Sequence, residues 1–251
     1  MTQNRPKIVD PREAERRRSL MFKIGAAVVL IAIAAGIAIW AVVSNQEDST
    51  TGGSSVPSVV TDNGSIRISA APKNTKPKAV LTIVEDFQCP ACKAFENGMG
   101  EAIASFADNP NVAVDYRTIA FLDKNFGNTY SAEAMNASLC VAESTGKDGD
   151  FGPWKRFHDS MFANQTEEGG AGLGNDKMIS LAKDAGATGV SKCITDNQFG
   201  QWVGKQSSDV MSSKDVDGKE FSGTPWVQLN GKTVQFGSPE ELVAAVNAAA
   251  K

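Results

Sequence analysis

Residues 79–92 read AVLTIVEDFQCPAC, and this stretch decides the fold. Ala79 to Val84 is an apolar, β-branched run of strand length, which predicts a buried strand. Two cysteines separated by two residues follow it, and Pro90 lies between them at a position that favours the first turn of a helix. The stretch therefore predicts a strand, a short loop and a helix that begins at the pair Cys89 and Cys92.

The predicted position of the two cysteines points to redox chemistry. At the N-cap of a helix, Cys89 meets free backbone N–H groups and the positive end of the helix dipole, which stabilise a thiolate. A stabilised thiolate attacks disulfides and is also a good leaving group. Cys92, one turn deeper, is placed to resolve the mixed disulfide that Cys89 forms. We therefore expect Cys89 and Cys92 to be the catalytic pair.

Glu85 and Asp86 stand between the predicted strand and the cysteines. A carboxylate at this place can accept the proton of Cys92 when that thiol resolves a mixed disulfide. The same residues also suit a solvated strand end with no role in catalysis. The sequence leaves both interpretations open, so Glu85 and Asp86 are candidate proton acceptors.

Downstream of the motif, the sequence alternates between strand and helix patterns. Val112 to Ile119 is a second apolar strand, and residues 130–210 show helical spacing with glycine-rich breaks. The turn dipeptide Asn230-Gly231 is then flanked by strands predicted at Trp226–Leu229 and Thr233–Phe236, as in a tight hairpin. These patterns predict an α/β domain with an inserted helical block.

The N-terminal region carries an apolar segment. Ile24 to Val43 contains twenty consecutive uncharged residues, the length that a helix needs to cross a membrane. Seven Lys or Arg residues precede it, and Glu47 and Asp48 follow it, so the positive-inside rule places the N-terminus in the cytoplasm and the main domain outside. A cleaved signal peptide has a shorter apolar region and ends at an Ala-x-Ala site, and no such site follows the segment. We therefore expect an uncleaved single-pass anchor in the cell membrane.

The predicted organisation has four parts. Residues 44–77 are rich in Ser, Thr, Gly and Pro and predict a polar tether, apart from a strand-like run at Ser65–Ser69. Beyond residue 43 the chain has 18 basic and 26 acidic residues, so the main domain would repel a phosphate backbone and no nucleic-acid partner is expected. The parts are a cytoplasmic basic tail (1–23), the anchor (24–43), the tether (44–77) and a folded domain (78–251) with a helical insertion at about residues 128–215.

Three motifs resemble those of DsbA-like proteins in the thioredoxin superfamily. Residues 86–92, DFQCPAC, resemble the DFxCPxC signature of that family. Gly223-Thr224-Pro225, followed by Asn230-Gly231, resembles its loop in which a proline after a cis peptide bond faces the cysteine pair. Four residues of the helical block resemble the aromatic pattern of the family: Phe151, Trp154, His158 and Phe162. The resemblance spans about residues 77–250 and implies a thioredoxin-like fold with an inserted helical domain, preceded here by a single transmembrane helix.

The resemblance implies an extracytoplasmic enzyme that introduces disulfides into reduced exported proteins by exchange through Cys89 and Cys92. Thr224 and Pro225 would bind the substrate, because a cis proline removes a backbone donor and leaves the backbone of Thr224 free to pair with a peptide. A membrane quinone-linked partner that resembles DsbB or the VKOR homologues would reoxidise the pair, and no cofactor is implied. Ala91 stands where the enteric relatives have histidine, so the motif leaves the oxidising strength open.

Cys140 and Cys193 lie in the helical block, and outside the cytoplasm an unpaired exposed thiol is a liability. We therefore predict a structural disulfide between them. A zinc site built from all four cysteines is a rival interpretation, but Cys140 and Cys193 lack the paired spacing of zinc ligands, so no metal is expected. His158, the single histidine, stands among aromatic residues at helical spacing, which favours a packed side chain over acid–base catalysis.

Two other functions fit the same residues. The motif does not separate an oxidase from a reductase or isomerase on the same fold, although a dimerising isomerase usually needs an extra N-terminal domain that the polar tether does not supply. The domain also fits a tethered binding module whose cysteines are only structural. We expect an oxidase that works as a monomer, and loss of function on Cys89→Ser would exclude the binding module.

Overall fold

The computed structural model describes residues 52–72 and 75–251, and a five-stranded mixed sheet lies at the centre of this part. Its strands are β1 (Ile66–Ser69), β2 (Ala79–Glu85), β3 (Val112–Thr118), β4 (Trp226–Leu229) and β5 (Lys232–Thr233). They are arranged in the order β1-β3-β2-β4-β5. β2 and β3 run parallel, as the sequence predicts near the cysteine motif, whereas every other neighbouring pair is antiparallel.

The helices fall into three groups along the chain. One follows β2, six lie between β3 and β4, and one follows β5, in the part of the chain that the structure describes. They are α1 (Pro90–Ala104), α2 (Asp123–Phe126), α3 (Tyr130–Thr145), α4 (Gly152–Ala163), α5 (Asn175–Asp184), α6 (Ser191–Thr195), α7 (Gly200–Met211) and α8 (Pro239–Ala249). α1 supplies the crossover that two parallel strands require. α3 to α7 lie within the predicted helical block, and α2 directly precedes it. The α/β class is therefore confirmed.

β2 is the central strand and carries much of the core. Leu81 and Ile83 have no exposed surface, because β2 has a neighbouring strand on each side. Ile103 of α1 and Leu242 of α8 belong to the same apolar cluster. The continuous apolar run in the sequence of β2 is what a strand covered on both faces requires. This burial fixes the end of β2, from which the cysteine motif extends.

β1 is an edge strand in the segment 44–77. Arg67 of β1 forms a bidentate ion pair with Asp115 of β3, at 2.6 Å from Nε to Oδ1 and 2.8 Å from Nη2 to Oδ2. Further upstream, the N–H of Gly53 donates to the carbonyl of Asn197 at 2.8 Å. The strand-like run noted in the sequence is thus part of the sheet, and the described residues before it are attached to the helical block.

The hairpin of β4 and β5 turns at Asn230 and Gly231, whose φ angles are 51° and 80°. Both lie in the left-handed region, as a two-residue hairpin turn requires. The predicted second strand, which extended to Phe236, is too long, because β5 ends at Thr233. In this register Phe236 would face Pro225, which has no N–H to donate, so the ladder cannot continue that far.

The predicted anchor, Ile24–Val43, lies outside the described residues. Within residues 52–72 and 75–251, no helix combines the length and the apolar character that a membrane crossing needs.

Candidate active site

The two predicted catalytic cysteines lie where β2 ends and α1 begins. Cys89 is the N-cap of α1, with φ −79° and ψ 118°, and Pro90 is the first helical residue. Proline suits this position because its φ is already helical and its missing N–H would have no partner within the helix. Cys89 keeps 6% of its surface exposed, whereas Cys92 is fully buried. Cys89 is therefore the thiol that a substrate reaches first.

The two thiols differ strongly in acidity. The Cys92 thiol donates a hydrogen bond to the Cys89 sulfur, and with help from the backbone N–H groups of Cys92 and Ala91 it lowers the pKa of Cys89 to about 6, against the opposing effect of burial. Burial raises the pKa of Cys92 far above its usual value, and the charges of Cys89 and Glu85 raise it further. At neutral pH the pair therefore holds one thiolate, on Cys89, and one thiol, on Cys92.

The loop before β4 faces this pair. The peptide bond between Thr224 and Pro225 is cis. The Sγ atom of Cys89 lies 3.5 Å from the carbonyl oxygen of Thr224, which can accept a hydrogen bond from the protonated thiol. The fold thus brings the loop that resembles a substrate-binding loop into contact with Cys89.

Asp86 has a structural position. Its Oδ1 accepts the N–H of Gln88 at 2.8 Å, and its Oδ2 accepts the N–H groups of Phe121 and Leu122, each at 2.9 Å. The side chain is fully buried, and burial raises the pKa of Asp86 to about 6 although the backbone donors oppose the shift. Both of its oxygens are engaged with backbone, so Asp86 holds the active-site loop against the chain that follows β3.

Glu85 is arranged differently. It is also fully buried, but only its Oε1 has a polar contact, at 2.6 Å to Nε2 of His158. Its Oε2 is buried without a hydrogen-bond partner among the described residues. The interpretation of this position as a solvated strand end is therefore wrong, since neither Glu85 nor Asp86 is exposed.

Comparison with known proteins agrees with this geometry. The sequence pattern of the family described as Thioredoxin matches residues 74–248, which is more than half of the chain. The chain belongs to the thioredoxin family.

Solved structures relate this thioredoxin-family chain to a narrower group of proteins. The reduced DsbA of Mycobacterium tuberculosis is 31% identical, with a TM-score of 0.62 over 74% of this chain and 91% of that one. The reduced DsbG of the same organism is 31% identical, with a TM-score of 0.64 over 76% and 89%. MdbA of Corynebacterium diphtheriae, described as a thiol-disulfide oxidoreductase, shares the fold at 21% identity, with a TM-score of 0.60 over 81% and 99%. By structure, the chain is a thiol–disulfide oxidoreductase of the DsbA type.

A curated relative is much longer than this chain. The serine/threonine-protein kinase PknE of Mycobacterium tuberculosis is 28% identical over 165 residues. The match covers 63% of this chain and 28% of the kinase. The thioredoxin-family chain thus spans less than a third of that relative, and the similarity concerns only that part of it.

The second cysteine pair lies in the helical block. Cys140 of α3 and Cys193 of α6 are joined in a disulfide, whereas Cys89 and Cys92 are free thiols. The bridge connects two helices that are far apart in sequence and packs against the core at its Cys140 end. Because Cys140 and Cys193 are bonded to each other, they do not act as zinc ligands together with the thioredoxin-family motif.

Two glutamines near the motif have roles that sequence reasoning missed. Nε2 of Gln165 donates to the carbonyl oxygens of Phe87 and Cys89, at 2.9 Å and 3.0 Å. Oε1 of Gln88 accepts from Nδ2 of Asn128 at 2.7 Å. Both contacts join the active-site loop of the thioredoxin-family domain to its helical block. A sequence pattern could not reveal them, because glutamine has no distinctive chemistry and the partners are distant along the chain.

His158 is packed among aromatic rings, as the sequence predicts. The ring is fully buried and contacts four aromatic neighbours: Phe87, Tyr116, Trp154 and Phe162. Its Nδ1 lies 3.1 Å from Oδ1 of Asp159, and its Nε2 faces Glu85. Burial disfavours a charge on the ring, but the charge of Glu85 and the hydrogen bonds to Asp159 and Glu85 outweigh it and raise the pKa of His158 to about 9.

Glu96 of α1 is a third buried acid in this region. It keeps 8% of its surface exposed, and its Oε2 lies 3.6 Å from Nζ of Lys155. Burial raises the pKa of Glu96 to about 7, and the charge of Glu85 adds to the shift. The sequence predicts no role for Glu96, because nothing in its neighbourhood along the chain distinguishes it from a surface residue of the helix.

Proposed function

We propose that the chain is an extracytoplasmic oxidase that introduces disulfides into reduced exported proteins. The position of Cys89 at the N-cap of α1, where its pKa is lowered to about 6, supports this direction. A stabilised thiolate on Cys89 favours the reduced form of the enzyme, so its disulfide becomes the stronger oxidant. A reductase would need the opposite balance, in which the disulfide form is the more stable one.

The proposed exchange has two displacements. A substrate thiolate attacks Sγ of Cys89 in the closed disulfide, the bond between the two enzyme sulfurs breaks, and Cys92 leaves as a thiolate that takes up a proton. A second substrate thiolate then attacks the substrate sulfur of the mixed disulfide, and Cys89 leaves as a thiolate. The substrate loses two electrons and gains a disulfide, while the enzyme pair is reduced. The low pKa of Cys89 favours this second departure.

Thr224 and Pro225 are the proposed substrate-positioning residues. The carbonyl oxygen of Thr224 lies 3.5 Å from Sγ of Cys89, so a peptide joined to Cys89 would pass along the backbone of this loop. An extended peptide gains affinity from backbone hydrogen bonds of this kind without a particular side-chain sequence. Such pairing suits an enzyme that must accept many different exported chains.

Of the two candidate proton acceptors, Glu85 suits Cys92 better than Asp86 does. The Oε2 atom of Glu85 is buried without a hydrogen-bond partner among the described residues, and its charge contributes to the raised pKa of Cys92. Both oxygens of Asp86 already accept backbone N–H groups. We therefore assign proton exchange with Cys92 to Glu85 and the support of the loop to Asp86.

The apolar segment Ile24–Val43 is the proposed anchor, with the domain outside the cytoplasm. Anchoring would raise the effective concentration of the enzyme near a partner in the same membrane. A quinone-linked protein that resembles DsbB or the VKOR homologues is the proposed partner, since the two electrons gained by Cys89 and Cys92 must leave before the next cycle. External protease should digest the domain in spheroplasts, and protection of residues 78–251 would contradict this orientation.

The direction of electron flow is tested with the full chain in mild detergent. Its redox potential is measured in glutathione buffers, and the oxidised protein is mixed with reduced, unfolded ribonuclease. We expect a potential above the roughly −270 mV of thioredoxin, together with formation of ribonuclease disulfides. A potential at or below that of thioredoxin would make the chain a reductase. Cys89→Ser is the control, because only a tethered binding module would keep its function without this sulfur.

A further inference from the structure

A buried cluster of two carboxylates and one imidazole lies next to the catalytic helix. It consists of Glu85 at the end of β2, Glu96 on α1 and His158 on α4, and one potential metal-ligating atom from each lies within 4.8 Å of the others. Glu85 and His158 have no exposed surface, and Glu96 keeps 8%. Three ligand groups from three separate elements are thus enclosed together.

Two oxygens of this cluster are unpaired. Oε2 of Glu85 and Oε1 of Glu96 are buried and have no hydrogen-bond partner in the described part of the chain. Burying a polar atom without a partner costs about 1–3 kcal/mol, and more for a charged group. Carboxylate oxygens that are shielded from water and close to an imidazole nitrogen are the donors that a divalent cation binds.

The orientation of His158 also suits a metal ligand. Its Nε2 is directed into the cluster, 2.6 Å from Oε1 of Glu85. Its Nδ1 lies 3.1 Å from Oδ1 of Asp159, at the surface side of the ring. Histidines that bind metals usually donate the other ring N–H to a carboxylate, which fixes the tautomer and the angle of the ring. Asp159 is placed to do this for His158.

From these contacts we propose that Glu85, Glu96 and His158 form a binding site for a divalent transition metal, with zinc as the preferred ion. One nitrogen and two carboxylate donors, with water as a fourth ligand, fill the four positions of a tetrahedral zinc site. The imidazole disfavours calcium and magnesium, which take oxygen ligands. The two carboxylates balance the charge of the ion, so that the loaded site is neutral as a whole.

Loading requires small movements. With zinc–ligand distances of about 2.0 Å, tetrahedral donors stand about 3.3 Å apart. The 2.6 Å contact between His158 and Glu85 must therefore open, and the ion replaces the proton that these two groups share. No metal was predicted from the sequence, because only the cysteines suggested metal ligands. The positions 85, 96 and 158 match no ligand spacing that a sequence pattern could recognise.

This site goes beyond the proposed redox function. A cation on Oε2 of Glu85 would withdraw that atom from proton exchange with Cys92, so loaded and metal-free enzyme should differ in the rate at which mixed disulfides resolve. Zinc binding itself is measured on the oxidised protein. In that form Cys92 is held in the closed disulfide and exchanges no proton with Glu85. Failure of the metal site and failure of the oxidase proposal are therefore separate results.

The test uses the full chain in mild detergent, stripped of metal with a chelator and oxidised so that Cys89 and Cys92 offer no thiol ligand. Zn²⁺ is titrated in competition with a chromophoric chelator. We expect one Zn²⁺ per chain, with at least tenfold weaker binding by His158→Gln and Glu96→Gln. Glu101→Gln, at an exposed position of α1, should bind as the unchanged protein does. Zn²⁺ should also raise the thermal unfolding midpoint of the unchanged and Glu101→Gln proteins only.

The proposal is overturned if the unchanged protein retains no stoichiometric Zn²⁺, or if Glu96→Gln binds it equally well. Equal affinity for Ca²⁺ would overturn the assignment to a transition metal. Circular dichroism shows whether each variant folds. If His158→Gln does not fold, Glu96→Gln decides the matter, because the contact of Glu96 with Lys155 is long, at 3.6 Å, and its loss should be tolerated.

Discussion

The four cysteines form two pairs with opposite properties. Cys89 and Cys92 lie in one turn at the start of α1 and are free thiols, whereas Cys140 and Cys193 join α3 to α6 in a disulfide. The first pair has a helix N-terminus that stabilises a thiolate on Cys89. The second pair connects helices whose side chains pack into the core. The backbone around a cysteine, more than the sulfur itself, therefore decides between exchange and permanent bonding.

The largest expected difference between the pairs is in turnover. Cys92→Ser prevents closure of the disulfide with Cys89, so catalysed oxidation of reduced ribonuclease should fall to the uncatalysed rate, and the remaining Cys89 thiolate, offered a protein disulfide, should form a mixed disulfide that is not resolved. The double variant Cys140→Ala, Cys193→Ala should keep most of its turnover per folded molecule. Non-reducing gels and the oxidation assay measure both effects. An equal loss of turnover in the two variants would contradict the division into a catalytic and a structural pair.

The two variants should rank in the opposite order when their effects on the free energy of unfolding are compared. Removal of the bridge in the double variant Cys140→Ala, Cys193→Ala should lower the free energy of unfolding by about 2–5 kcal/mol, because the unfolded chain loses a constraint. Cys92→Ser should change it less. Denaturant unfolding gives both values, with Cys89 kept reduced in every protein and the bridge left closed where it is present. A bridge variant as stable as the unchanged protein would show that the helical block does not depend on this link.

The acidity of Cys89 sharpens the comparison further. Its alkylation rate in the reduced protein should have a midpoint near pH 6, in contrast to the ordinary thiol pKa of 9.0. Because the folded pKa is lower than that of the unfolded chain, the thiolate stabilises the reduced form at high pH. This stabilisation is lost as the pH falls towards 6, by about 2 kcal/mol between pH 8 and pH 6. Unfolding of the reduced and oxidised forms at these pH values measures it, and a pH-independent difference would contradict the shift.

The smallest expected effect comes from the contact that joins the two regions. Gln165→Ala removes two hydrogen bonds to the carbonyls of Phe87 and Cys89, so the free energy of unfolding should fall by about 1–2 kcal/mol and turnover by a few fold. Gln201→Ala is the matched control, since Nε2 of Gln201 donates a solvent-exposed hydrogen bond to the carbonyl oxygen of Gly52, at 3.3 Å. Equal effects of the two substitutions on turnover would remove Gln165 from the support of the active-site loop.

Local features of this molecule could be predicted from the sequence. β2 and the start of α1 depend on an apolar run and on Pro90, and these signals act over a few residues. The turn at Asn230 and Gly231 is equally local, whereas the length of the following strand depends on its pairing with β4, and the predicted end at Phe236 was wrong. The position of Thr224 and Pro225 opposite Cys89 followed from a resemblance and not from any residue pattern.

Contacts between distant segments could not be predicted. Helical spacing indicated that His158 is packed, but its contact with Glu85 depends on how α4 lies against the end of β2. The surroundings of Glu96 and Gln165 also depend on tertiary packing, and in the sequence Glu96 looks like an ordinary helix residue. The polar side chain at each of these positions is visible in the sequence, whereas the burial that changes its chemistry arises only from tertiary packing.

The hydrogen bonds made by Asp86 and Gln165 also affect the local unfolding of the domain. Asp86 holds the amides of Phe121 and Leu122, and Gln165 holds the carbonyl of Cys89. Separation of the helical block from the sheet would therefore expose the backbone on both sides of the catalytic loop at once. The block and the sheet then behave as one cooperative unit, in which amide hydrogen exchange at Phe121 and Leu122 requires the same rare opening that would disorder the cysteine pair.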